Sequence, residues 1–215
     1  MAQFLQQMVN GLSIGSVYAL MAVGYSLVYS IMNFSNFAHG GVIMFGAYFG
    51  FFAMTLLKLP FIASFALAFV GTAVLAVVIE RIAYKPLRER SAPFLYFIIS
   101  AMGASIFLEN IIIATIGPTF RTYPDVFGRS SISLGSVSIG RLDLIMFVIS
   151  AVCLTGLVLF IDKTKMGRAI QASAYNMKAA ALMGVNTDRV VMIVFALGGL
   201  LADRKSTRLN SSHRM

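Results

Sequence analysis

The stretch Phe61–Arg90, FIASFALAFVGTAVLAVVIERIAYKPLRER, decides the fold class. Its first part, Phe61–Ile79, carries no charged side chain. A helix of that length, rising about 1.5 Å per residue, approaches the ~30 Å thickness of a bilayer's hydrocarbon core. The run therefore reads as a membrane span. At Glu80 the composition flips. Arg81, Lys85, Arg88 and Arg90 place four cations in ten residues, against Glu80 and Glu89. An apolar run ending in a basic loop marks a cytoplasmic boundary, because positively charged loops are retained on that side.

The same alternation recurs outward in both directions. Hydrophobic residues make up 59% of the 215 and charged residues only 12%. A soluble domain carries roughly twice that charge. Mean hydropathy is +0.85. The sequence predicts an all-α fold, a polytopic transmembrane helical bundle with five full spans plus a truncated sixth. The expected spans are about Val9–Ile31, the run from Asn36 to Leu57, Phe61–Ile79, about Pro93–Ile116, Leu144–Ile161, and a short segment from Val190 to Ala202. Residues 1–202 read as one incomplete transmembrane domain. Asp203–Met215, DRKSTRLNSSHRM, lacks apolar periodicity and reads as a non-native tail.

Charge and cysteine usage exclude several classes. The net charge of +9 sits in loops between apolar runs, which is membrane topology and not a nucleic-acid surface. Membrane lipid is the implied surrounding. The one cysteine, Cys153, lies within an apolar run, so no disulfide framework or thiol metal site follows. His39 and His213 are the only histidines, and no metal set is expected. No GxxxxGK[ST] phosphate loop is present, so ATP hydrolysis would have to come from another subunit. HExxH and GxSxG are absent too, and no catalytic residues are assigned.

Within the spans, Gly11, Gly15 and Ala19 recur every four residues and predict a close-packing helix face. Asn36 and His39 stand at the start of the second run. They read either as lining or gating residues beside a glycine-rich, interruptible helix or as helix-start groups with local partners. Glu109 and Asn110 lie inside the fourth span, where an ionisable group is a functional candidate by default. The loop Gly117–Asp143 has sparse positive charge and suits the outer side, and Ile132–Ile139 alternates apolar and small polar residues like a short strand.

The second basic loop holds MGRAIQASAYNMKAAALMGVNTDR, Met166–Arg189. Met177, Lys178, Ala179, Ala180, Ala181, Leu182 and Met183 favour a short helix. Asn176 suits its N-cap and Gly184 its C-terminal stop. So short a helix is marginal alone and needs a surface to lie on. That surface could be a protein partner or the lipid headgroups.

Three motifs carry a resemblance: NFAHGG at Asn36–Gly41, ERIAYKPLR at Glu80–Arg88, and KAAALMGVNTDRV at Lys178–Val190. Together they resemble the membrane permease of a branched-chain amino acid importer of the ATP-binding-cassette type, in register from about Gln6 to Ala202. The chain departs from the family's usual pattern at Gln171, Tyr175 and Asn176. The resemblance implies a multi-pass permease of the bacterial cytoplasmic (inner) membrane. It implies that Asn176–Gly184 is a coupling helix docking into an ATP-binding-cassette ATPase subunit. A second permease chain and an extracytoplasmic solute-binding protein are the other implied partners, with no cofactor and no nucleic acid. A permease for urea or short amides is the near alternative. A secondary transporter or channel is the more distant one, and it leaves the second basic loop without a role.

Overall fold

The computed structural model describes residues 2–117, 131–134 and 137–202. The expected non-native tail and the outer-loop residues 118–130 lie outside the described residues.

The chain is built almost wholly from helices, as its composition requires. In order these are α1 (Ala2–Met32), α2 (Ala38–Thr55), α3 (Phe61–Ile79), a π-helical segment (Glu80–Tyr84), α4 (Lys85–Glu89), α5 (Phe94–Ile116), α6 (Arg141–Lys163), α7 (Lys165–Tyr175), α8 (Met177–Leu182) and α9 (Thr187–Ala202). Among the described residues five helices are long and apolar enough to cross a membrane. They coincide with the five expected full spans. The third runs on to Glu89, because α3, the π segment and α4 form one continuous rod.

Each break has a local cause. Asn33 adopts φ 53° and Lys58 φ 50°, left-handed conformations that stop α1 and α2. Pro60 and Pro93 precede α3 and α5, where a missing N–H costs nothing. The π turn comes just before Pro86, whose ring would crowd the carbonyl four residues back in a regular helix. Lys85 instead donates its N–H to Glu80 O, and Ser100 of α5 donates to Ala83 O at 3.3 Å. Between α5 and α6 the described residues form a two-stranded antiparallel pair, β1 (Ser131–Leu134) with β2 (Val137–Gly140), with Ile132 opposite Ile139. Of the alternating stretch Ile132–Ile139, residues 132–134 and 137–139 are strand, and 135 and 136 lie outside the described residues.

The core forms where α9 wedges between α1 and α3. Val190, Val191, Val194 and Phe195 of α9 are buried against Leu20, Leu27 and Val28 of α1 and Ala76 and Ile79 of α3. Small residues permit the approach, although not the ones the sequence pointed to. A Cβ on Gly199 would stand 2.7 Å from Thr72 O and 2.8 Å from Ala76 Cβ, and one on Gly198 3.0 Å from Val28 Cγ2. Gly11 and Gly15, in contrast, meet nothing within 4 Å, and their face with Ala19 is exposed. Four-residue spacing specifies a small-residue face but not which neighbour, if any, covers it.

Both basic loops lie on one side of the bundle. Arg88, in the first loop, donates from Nη2 to Asp188 Oδ1, at the end of the second, at 2.8 Å. This is the arrangement that the loop charges demand.

Candidate functional site

Two groups of residues on this side of the molecule stand out, and a third lies apart from them. The first is a buried polar junction built from NFAHGG and ERIAYKPLR. Asn36 is buried in the break between α1 and α2. Its Oδ1 accepts from Tyr84 Oη at 2.7 Å and from the Ala38 N–H at 3.2 Å. Its backbone carbonyl accepts from the His39 N–H at 3.1 Å. Asn36 thereby serves free donors at the α2 N-terminus, the role a cap performs. Tyr84 is fully buried and packs edge-on to Phe34 and tilted against Phe195 of α9. The π turn points this tyrosine into the core, where its hydroxyl holds Asn36 just before α2 and its ring packs on α9.

His39 is buried beside Asn36, with its ring T-shaped against Tyr25 at 5.9 Å between centroids. Its Nε2 has no hydrogen-bond partner among the described residues. The residue also lines a cavity of about 10 Å³, with Asn36, Val42, Ala76 and Gly199. That volume suits roughly one water molecule. An amino acid would not fit there. Asn36, and not His39, meets the backbone donors at the start of α2.

The first group continues outward through charge. Glu80 is 2% exposed and Arg88 17% exposed. Arg88 Nη2 stands 3.0 Å from Glu80 Oε1 and 2.8 Å from Asp188 Oδ1. A buried carboxylate needs such a partner, since desolvation of an unpaired charge costs several kcal/mol. The loop's densest basic motif is therefore partly internal: Arg88 is spent on Glu80 and Asp188. The sequence motif signalled its importance without revealing these partners.

The second group is the predicted short helix. Thr164 opens α7, its Oγ1 accepting from the Gly167 N–H at 2.9 Å. A Cβ on Gly167 would collide with the Ile161 backbone, so only glycine allows α7 to turn off α6 so sharply. Helix α7 buries Gly167, Ile170 and Ser173 on one face, although its largely polar sequence marks no helix by composition. Asn176 then breaks the helix with extended backbone and caps α8, its Oδ1 accepting from Ala179 N–H at 3.0 Å. At the far end the Val185 N–H bonds Ala180 O and the Gly184 N–H bonds Ala181 O, both at 3.0 Å. With Gly184 at φ 84°, this is a Schellman closure. Asn186 Oδ1 accepts from the Arg189 N–H at 3.0 Å and starts α9.

Helix α8 is rooted on one side and free on the other. Ala180 is buried, with Met177 partly buried against the core. Tyr175, Leu182 and Met183 are 95%, 89% and 84% exposed. Lys178, Ala179 and Ala181 complete the outward surface. Tyr175 at the end of α7 and Leu182 and Met183 at the end of α8 are thus large, mostly apolar side chains left exposed around a short helix capped at both ends.

Glu109 and Asn110 belong to neither group. Both are exposed on α5, on the side turned away from the bundle. Glu109 Oε1 accepts from Ser105 Oγ at 3.2 Å, and Asn110 Nδ2 donates to Ile106 O at 2.7 Å. The neighbouring exposed side chains Met102, Ile106, Phe107 and Ile113 are apolar.

Comparison with known proteins gives the family of the chain. Residues 7–203 match the family model described as branched-chain amino acid transport system / permease component. The chain is 39% identical to the high-affinity branched-chain amino acid transport system permease protein BraD of Pseudomonas aeruginosa, over 93% of this chain and 68% of that protein. It is 38% identical to the permease protein LivH of Salmonella typhimurium, with the same coverage. The probable branched-chain amino acid transport permease protein LivH of Methanocaldococcus jannaschii is 32% identical over 87% of this chain and 60% of that one. No solved structure gives a significant match. The chain belongs to the branched-chain amino acid transport system permease family, and it is a multi-pass membrane protein.

Proposed function

We propose that the chain forms part of the translocation path of an ATP-driven importer for branched-chain amino acids, in the bacterial inner membrane, and that Asn176–Gly184 is the element on which an ATPase subunit acts. The family and the names of its relatives support the solute class. The observation that carries the coupling assignment is the shape of α8. A six-residue helix closed at both ends and rooted through Ala180, with Leu182 and Met183 exposed at its C-terminal end and Tyr175 exposed just before its N-cap, offers a preformed apolar surface for a groove. Helix α8 leads through Gly184 directly into α9, which is packed between α1 and α3, so a push on α8 reaches the bundle core. ATPase closure would rock the spans about a central path.

A second permease chain fits the placement of Glu109 and Asn110. A carboxylate and an amide on an outward, otherwise apolar face of a span are costly in lipid and call for protein or water there. Two chains facing each other across a wet path would supply both. An extracytoplasmic binding protein would deliver the solute on the side of the β1–β2 pair.

The test is co-purification and uptake. The permease is co-expressed with candidate ATPase subunits, and Leu182 and Met183 are changed together to aspartate. Wild type should retain the ATPase and support ATP-dependent leucine uptake, and the double variant should insert normally but lose both. Retained ATPase binding in the double variant would refute the docking assignment.

A further inference from the structure

Arg88 faces two carboxylates that belong to different parts of the machine. Asp188 lies in the first turn of α9, just after the Gly184 closure of α8, and is 55% exposed. Glu80 opens the π segment and is buried. One nitrogen, Nη2, serves both: it stands 2.8 Å from Asp188 Oδ1 and 3.0 Å from Glu80 Oε1. Only the Asp188 contact has the alignment of a hydrogen bond; Glu80 Oε1 has no aligned donor among the described residues. Arg88 Nη1 is buried and likewise makes no hydrogen bond among them. A guanidinium that could grip one carboxylate with both forks is thus held between two.

We propose that Arg88 and Asp188 are positioning residues that link the movement of α8 to the NFAHGG segment through a switch of partner. The proposal rests on the coupling reading of α8. In the conformation seen here Asp188 takes the one aligned bond of Nη2, and Glu80 Oε1 keeps only an unaligned ion-pair contact with the same nitrogen at 3.0 Å. When α8 is displaced, Asp188 moves with it, and the guanidinium turns wholly onto Glu80 with two aligned bonds. Burial gives Glu80 a strong demand for those bonds. The shift is passed on because Glu80 and Tyr84 bound one π turn, and Tyr84 Oη holds Asn36 at the entry to α2, next to His39. A π turn suits the task, since such turns interrupt the regular helix and are frequent at functional sites. The two arrangements of Arg88 are the discrete states that coupling between separated sites requires. Without Asp188 the choice is gone. Arg88 stays on Glu80 whatever α8 does, and the ATPase then cycles without driving the spans.

The experiment measures leucine imported per ATP hydrolysed by the complete importer in proteoliposomes, for wild type, Asp188→Asn and Asp188→Glu. Asp188 is half exposed at a helix start, where asparagine is equally acceptable, so folding and ATPase binding should survive. Asp188→Asn should lower the ratio about fivefold or more, the low end of typical coupling, while ATPase co-purification is unchanged. Asp188→Glu, which restores the charge, should bring the ratio back to within about twofold of wild type. An unchanged ratio in Asp188→Asn, or failure of Asp188→Glu to recover it, overturns the switch and leaves the docking assignment standing. A wild-type chain that binds no ATPase and shows no ATP-dependent uptake overturns the docking assignment and the switch with it.

Discussion

Tyr84 donates its hydroxyl to Asn36 Oδ1 at 2.7 Å, across 48 residues of sequence and wholly within the core. Two motifs that look independent along the chain are one structural unit. The bond fixes the start of α2 to the end of α3, and Phe34 and Phe195 pack around it.

Tyr84→Phe should therefore destabilise the purified protein by about 1–3 kcal/mol, because Asn36 Oδ1 loses its shorter bond in a buried setting. Asn36→Ala should cost more, since it also strips the Ala38 N–H of its acceptor. Thermal unfolding in detergent, followed by circular dichroism, should rank wild type above Tyr84→Phe above Asn36→Ala.

Gly184→Val tests the closure of α8. At φ 84° a β-branched side chain is strained by ~1–2 kcal/mol or more. No neighbour lies within 4 Å of the new Cβ, so the strain is local to the backbone. Membrane insertion should be normal and ATPase co-purification reduced, with uptake falling in parallel. Full ATPase binding by this variant would show that the shape of α8 is not what the ATPase reads.

Glu109→Gln should leave uptake per inserted molecule within about twofold of wild type. Glutamine keeps an acceptor for Ser105 Oγ and remains polar toward whatever covers α5. A tenfold loss of leucine uptake at normal expression would show that the charge itself is needed in the path.

Gly199→Val should be among the most damaging single changes in the bundle. Its Cβ would stand within 2.8 Å of both Thr72 O and Ala76 Cβ, and the first of these is rigid helix backbone. Overpacking of this kind costs about 1–3 kcal/mol. The variant should unfold at lower temperature and be cleaved faster by added protease. Gly15→Val, on the open face of α1, should do neither.

The sequence alone determined the spans, their order, the sidedness of both basic loops and the short capped helix. Each is set by local chemistry. A charge-free run of about twenty residues must lie in the bilayer, Asn176 and Gly184 each act within one turn of α8, and loop charge orients the whole. Family membership was legible for the same reason, since NFAHGG, ERIAYKPLR and KAAALMGVNTDRV are contiguous strings. Tertiary structure decided who meets whom. Hydropathy could not choose between the Gly11–Gly15 face and Gly198–Gly199 as the packing surface, because both read as small residues in apolar helices. It could not show that Arg88 is shared between Glu80 and Asp188, or that Glu109 faces outward while His39 faces in. Those outcomes depend on helix rotation and on contacts between residues 48 to 100 positions apart. A one-residue step turns a helix face by about 100°, so the helix partners settle each face, and they are known only once the bundle is packed.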